Sequence, residues 1–193
     1  MNINTKEYWD VEYTKGTEHF LINGKFENKM VHKIFDEIDR NEKVYDIGCG
    51  YAHNTDVIAK LGFQCHGVDH SEIIIKENQK VFPDIDYRVM DIIHFLKYSR
   101  SLDIITAFEV FEHFEKPYVF LNAVCKALKP DGKFIFSVPH KADSHHADME
   151  THYQKFDYEK LVKILFAKFE KVQFYNSMFS DFRVYCKAEL VKV

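Results

Sequence analysis

The sequence predicts an α/β fold built on a mostly parallel sheet. Three observations lead there. From residue 43 onward, short apolar runs of strand length alternate with amphipathic helical stretches. A chain of 193 residues with 46% hydrophobic content is long enough to bury one sizeable core. Finally, 18 Phe and 11 Tyr set against 7 Gly and 4 Pro exclude disorder and low complexity. The expectation is a single domain over residues 1–193, with a helical N-terminal cap over 1–40 and an α/β core over 41–193.

The elements follow in order. "EYWDVEY" clusters aromatics near the start, and after it Val31, Ile34, Phe35 and Ile38 keep the spacing of an amphipathic helix. "KVYDIG" reads as a strand. A helix with Val57, Ile58 and Leu61 on one side follows and closes at Gly62. "FQCHGVD" is a second strand, and Ser71 is placed to cap the helix "SEIIIKENQKVF". Further strands lie at "IDYRVMD", "LDIITAF" and "KFIFSVP", separated by "IIHFLKY" and "PYVFLNAVCKALK". "KPDG" carries Pro and Gly where a tight turn wants them. This alternation argues for a parallel sheet covered on both faces. The end differs: after the helix "DYEKLVKILFAKF", the strands "KVQFYN" and "RVYCKAELVKV" are joined by too few residues for a helical crossover, so they form an antiparallel hairpin.

The formal net charge of −4 provides no basic field for nucleic acid, and a duplex-binding role is disfavoured. No apolar run approaches membrane-spanning length, and "MNINTKEYWD" lacks the apolar core of a signal peptide. Cys49, Cys65, Cys125 and Cys186 are scattered without CxxC spacing, as expected for reduced thiols. A cytoplasmic protein is the expectation; the oligomeric state is left open.

Ligands of open α/β sheets bind beyond the carboxyl ends of the strands. There the first strand gives "DIGCGYAH", with Asp46, Gly48 and Gly50, whose missing side chains let the backbone approach a ligand. The second strand ends in Asp69, about 20 residues beyond Asp46, the distance at which an acid accepts from both hydroxyls of a ribose. The third ends in Asp91 and the fourth in Phe108-Glu109. Any one of these acids taken alone reads as a helix cap; four such features on four successive strands point to a nucleotide-type cofactor. A nicotinamide dinucleotide fingerprint wants G-x-G-x-x-G, and His53 stands where its third glycine would be.

In "VYDIGCG", "GVDHS", "VMDI" and "LDIITAFEVFEHF", taken in order, the sequence resembles the class I S-adenosylmethionine-dependent methyltransferases. The resemblance covers residues 40–140 and implies a Rossmann-like, mostly parallel seven-stranded sheet with an antiparallel last strand and helices on both faces. It implies that Asp69 holds the ribose hydroxyls, Asp91 receives the adenine amino group, and the Gly48–Gly50 loop lies under the methionyl part. The Phe108 backbone would sit near the amino-acid end. Ala52 in place of a third glycine departs from the pattern and takes up one methyl group of clearance. Tyr8, Trp9 and Tyr13 then have two readings: packing of an N-terminal helix on the sheet, or a cover over the cofactor and acceptor pocket.

In "EVFEHF", Glu109, Glu112 and His113 have the i, i+3, i+4 spacing that puts three side chains on one side of a helix. One reading is an ordinary helix start, with acids at the positive dipole end and Phe108, Val110, Phe111 and Phe114 in the core. The other is a three-point site for Mg²⁺ or Mn²⁺. The segment resembles the O-methyltransferases of ubiquinone biosynthesis and the small-RNA 2′-O-methyltransferases, where the matching residues are metal-associated. The RNA branch adds a downstream histidine. Candidates here are His140, His145, His146 and His152, and "HYQKFDYEKL" favours His152. A divalent cation would lower the pKa of an acceptor hydroxyl and anchor a neighbouring oxygen.

The expected acceptor is therefore a vicinal diol on a small molecule or glycan, a sugar standing first, with a catechol or quinone-type acceptor as the alternative. Without a metal, His113 or His140 would serve as general base. A non-catalytic scaffold that binds cofactor or a partner subunit is the remaining alternative.

Overall fold

Seven strands build the structure: β1 (Lys43–Ile47), β2 (Gln64–Asp69), β3 (Asp86–Val89), β4 (Leu102–Phe108), β5 (Leu128–Pro139), β6 (Lys171–Ser177) and β7 (Ser180–Glu189). They form one sheet in the order β3-β2-β1-β4-β5-β7-β6. Pairing of β1 with β2, β2 with β3 and β4 with β5 is parallel, and β7 runs antiparallel to both β5 and β6. The reversed last strand and terminal hairpin are those expected from the sequence. The computed structural model describes residues 4–15, 29–140, 150–177 and 180–190. The chain divides into two compact units, Met1–His94 and Phe95–Val193.

In the first unit, α1 (Lys6–Lys15) buries no residue and is tied internally by Lys6–Asp10 and Lys15–Glu12 ion pairs. Residues 29–35 form α2, whose Met30, Val31, Ile34 and Phe35 are buried, matching the apolar spacing. Next, α3 (His53–Lys60) ends at Gly62, whose φ of 96° is the left-handed geometry that stops a helix. Ser71 caps α4 (Glu72–Val81) by accepting from the Ile74 N–H. Gly67 in β2 is required by packing: a Cβ there would lie 2.5 Å from the Tyr87 ring. The Asp91 carboxylate accepts from the His94 N–H at 2.8 Å, opening α5 (Ile92–Tyr98).

The second unit holds a core of phenylalanines. Phe111, Phe120, Phe134, Phe136 and Phe156 are fully buried. Phe111 stacks on Phe120 and Phe156 with centroids 5.2 and 4.9 Å apart, and burial of each ring supplies about 2–3 kcal/mol. The ring contributors come from the turn after β4, from α6 (Pro117–Ala127), from β5 and from the segment before α7 (Tyr158–Leu165). "KPDG" is not a free turn. It lies inside β5, where Asp131 takes φ 64° and the pairing with β4 shifts register, so the bend is made within a strand.

Candidate active site

The first unit gathers its polar groups at the carboxyl ends of β1 and β2. Gly48 and Gly50 adopt φ of 69° and 47°. The Gly48 and Cys49 N–H groups both donate to the Val68 carbonyl, pinning the loop to the end of β2. The Asn78 amide, from α4, donates to the Gly50 carbonyl at 2.6 Å. Asp69 is 4% exposed. Its Oδ2 accepts from the Gly50 N–H at 3.1 Å and its Oδ1 from the Ser71 N–H at 2.9 Å. Burial raises the Asp69 pKa, and the N–H groups of Ser71, Gly50 and His70 pull it back.

Ala52 absorbs the missing glycine in an unexpected way. It takes the left-handed conformation itself (φ 56°) and buries its methyl group among Ile74, Ile75 and Tyr87. The methyl is thus spent on packing. Asp46, 2% exposed, accepts from the Thr55 hydroxyl and so ties β1 to α3. Asp91 is engaged as the cap of α5. Tyr13 of α1 reaches this cluster: its hydroxyl lies 3.3 Å from where a Cβ on Gly50 would sit, and its ring meets Tyr51 edge-on at 5.5 Å.

The second unit gathers its groups after β4, but not on a helix. Phe108, 9% exposed, ends the strand, and Glu109 has φ 55°. Phe111–His113 form a single 3-10 turn. The helical face expected for Glu109, Glu112 and His113 does not form, because the left-handed residue breaks it before the turn begins. The Glu109 carboxylate points elsewhere: it accepts from the Ser137 hydroxyl at 2.7 Å and pairs with Arg183 Nε at 3.1 Å. Nothing local in the sequence announces this pairing, since Ser137 and Arg183 lie on β5 and β7.

Glu112, His113 and His152 do meet. Their ligand atoms lie within 4.8 Å of one another. Glu112 is 1% exposed, and its Oε1 lies 3.9 Å from His152 Nε2. The His113 and His152 rings sit 4.8 Å apart. His113 Nδ1 donates to the Thr151 carbonyl at 2.9 Å, leaving Nε2 as the acceptor nitrogen. Burial drives the His113 pKa down to about 4, with the Thr151 carbonyl opposing and His152 adding to the shift. Gln154 staples the His152 segment to the turn, its N–H donating to the Glu112 carbonyl and its amide to the Glu115 carbonyl, both at 3.1 Å. One carboxylate and two imidazoles, one oriented by a backbone carbonyl, are a donor set suited to a divalent metal. His140 is not one of that group of three; it is bridged to Phe156 with its ring near Tyr158. His145 and His146 lie outside the described residues.

A loop glycine pair at the end of one strand and a buried acid at the end of the next are accompanied by a direct sequence match. The profile of the methyltransferase domain family aligns with residues 19–178. The chain belongs to that family. Among curated relatives, this methyltransferase is 34% identical over 104 residues to the ubiquinone biosynthesis O-methyltransferase of Coxiella burnetii, covering 51% of this chain and 44% of that one. The chain thus spans less than half the length of that relative. Two solved structures share the fold. Phosphoethanolamine N-methyltransferase 2 of Haemonchus contortus, in complex with S-adenosyl-L-methionine, superimposes with a TM-score of 0.70 at 16% identity, over 86% of this chain and 52% of that one. A S-adenosylmethionine-dependent methyltransferase from Archaeoglobus fulgidus gives 0.71 at 17% identity, over 90% of this chain and 100% of that one. The two structures share the Rossmann-like sheet, and the family match and the curated relative support the class I resemblance of the methyltransferase. Among the described residues, no helix is long and apolar enough to cross a membrane.

Proposed function

We propose that the protein is an S-adenosylmethionine-dependent O-methyltransferase that modifies one hydroxyl of a vicinal diol, most suitably on a sugar or glycan, with a divalent cation held by Glu112, His113 and His152. The observation that supports the metal half is the convergence of those three side chains, drawn from the turn after β4 and the segment before α7. On this reading Asp69 accepts the ribose hydroxyls and the Gly48–Gly50 loop lies under the methionyl part. Asp91 takes the adenine amino group, Phe108 presents backbone to the amino-acid end, and Asp46 supports the loop through Thr55.

When bound, the cofactor supplies an electrophilic sulfonium methyl group, and the chain must orient the acceptor oxygen and take up its proton. Glu112 and the two histidines would hold the cation, whose chemistry there is to lower the acceptor pKa and fix the neighbouring oxygen. His113 is suited to the role because burial keeps its imidazole neutral at physiological pH. Glu109 is left out of the ligand set and acts through Arg183 and Ser137 to fix the turn.

A catechol or quinone-type acceptor is the second reading. It is favoured by the Coxiella relative, whose name is that of a ubiquinone O-methyltransferase; a catechol offers the same pair of adjacent oxygens. The test is calorimetric titration of Mn²⁺ into the protein saturated with S-adenosylhomocysteine, beside Glu112→Ala. Micromolar binding lost in the variant is the expected result. Cofactor binding without metal binding would overturn the metal half, leaving His113 as general base and a rate–pH limb that survives chelator.

A further inference from the structure

Helix α4 turns a polar residue toward the core. Its buried positions are Ile74, Ile75 and Asn78, which share one face of the helix. Asn78 is 2% exposed. Asparagine is a mediocre helix former, and burying an amide costs free energy unless its hydrogen bonds are made. A leucine there would continue the apolar face, so the amide needs a local reason. The glycine loop supplies it.

Asn78 Nδ2 donates to the Gly50 carbonyl at 2.6 Å and faces Cys49 Sγ at 4.0 Å. A carbonyl only accepts, which assigns the NH₂ end of the side chain to the loop. Gly50 is thereby held from both sides: its N–H by Asp69 Oδ2 at 3.1 Å and its carbonyl by Asn78. A trans peptide points its C=O and the following N–H in opposite directions, so this anchor also fixes the direction of the Tyr51 N–H. The Gly48 and Cys49 N–H groups, bonded to the Val68 carbonyl, secure the first half of the loop. Asn78 secures the second half, where Gly50 takes φ 47°.

We propose that Asn78 is a positioning residue for the methionyl part of the cofactor, holding the Gly50 peptide in the required shape before the ligand arrives. The inference rests on the reading above that the Gly48–Gly50 loop lies under that part of S-adenosylmethionine. Its effect passes through Gly50, and no covalent bond changes. A loop fixed in advance spares the ordering cost that binding would otherwise carry. On the same reading the nucleoside half is held by Asp69 and Asp91, and Asp69 keeps its bond from the Ser71 N–H whatever stands at position 78. Loss of the Asn78 amide therefore weakens the grip on the amino-acid tail and spares the nucleoside.

The test compares S-adenosylhomocysteine with adenosine as ligands, by calorimetry, in wild type and Asn78→Leu. Leucine keeps the bulk and removes the donor. S-adenosylhomocysteine is expected to bind about five-fold to ten-fold more weakly in the variant, the worth of one hydrogen bond, while adenosine stays within about two-fold. In the ligand-free protein, hydrogen exchange at the Gly50 N–H is expected to quicken, with the amides of β4 unchanged. Equal losses for both ligands would make Asn78 a general support of the first unit and overturn the proposal. Unchanged affinity for both, or unchanged exchange at Gly50, overturns it as well. Where Asn78→Leu does not fold, Asn78→Ala is measured in the same way. Failure of both variants to fold would assign the amide to the fold and likewise overturn the proposal. Wild-type protein that binds S-adenosylhomocysteine no more tightly than adenosine would instead sink the reading of the loop, and this proposal with it.

Discussion

Asp69 and Glu112 are both buried carboxylates, 4% and 1% exposed, but they are built in opposite ways. Asp69 is ringed by backbone N–H groups of its own strand end and of the glycine loop. Glu112 is met by side chains, one adjacent in sequence and one, His152, brought from the segment before α7. The first arrangement is part of the fold's wiring; the second is laid over a scaffold that phenylalanines already hold. The difference implies that damage to Asp69 unfolds, whereas damage to the Glu112 cluster disarms.

The largest effect expected is therefore at Asp69. Asp69→Ala strands the Gly50 and Ser71 N–H donors in a buried place, at about 1–3 kcal/mol each. Urea unfolding should show a loss of several kcal/mol, together with loss of S-adenosylhomocysteine binding. The contrast is sharpened by Glu112→Ala, which should lose metal while keeping most of its stability. If the two variants were equally unstable, the distinction between wiring and overlay would be gone.

That same distinction explains what could be read from the sequence. The glycine loop, Asp69, Ser71 and the alternation of strands and helices are short-range patterns, set by backbone geometry within a few residues. The turn after β4 was legible in its residue types but not in its shape. Helical spacing groups Glu109 with Glu112 and His113, yet φ 55° at Glu109 turns its carboxylate to Ser137 and Arg183. Those partners come from β5 and β7, and no local pattern encodes a contact across a sheet. His152 was found only through its family-like surroundings. Ala52 was seen as a departure, but which way its methyl pointed depended on Ile74, Ile75 and Tyr87.

A middle-sized effect is expected in the second unit and depends on pH. Folding lowers the His113 pKa to about 4 from its ordinary 6.5, mainly through burial. The unfolded chain therefore binds a proton more readily. The contribution to stability is fully present above about pH 6.5 and is lost as pH falls toward 4, amounting to about 3 kcal/mol over the whole range. Chelator-treated protein unfolded by urea at pH 7.5 and pH 5.0 should show part of this slope, and His113→Gln should flatten it. An unchanged slope in the variant would assign the acid sensitivity to other groups.

The smallest effect is expected at Ala52, in the first unit, where two opposing terms nearly cancel. Left-handed backbone costs a non-glycine residue about 1–2 kcal/mol, so Ala52→Gly relieves strain at φ 56°. Against that, glycine frees the unfolded chain by about 0.4–1 kcal/mol, and a buried methyl group is worth about 0.8 kcal/mol. The net change in urea unfolding should stay within about 1 kcal/mol. Because the methyl packs on Ile74, Ile75 and Tyr87, S-adenosylhomocysteine affinity should stay within two-fold of wild type. Affinity rising ten-fold would mean that the methyl had been crowding the ligand after all, and that the third glycine of the family pattern serves clearance rather than strain relief.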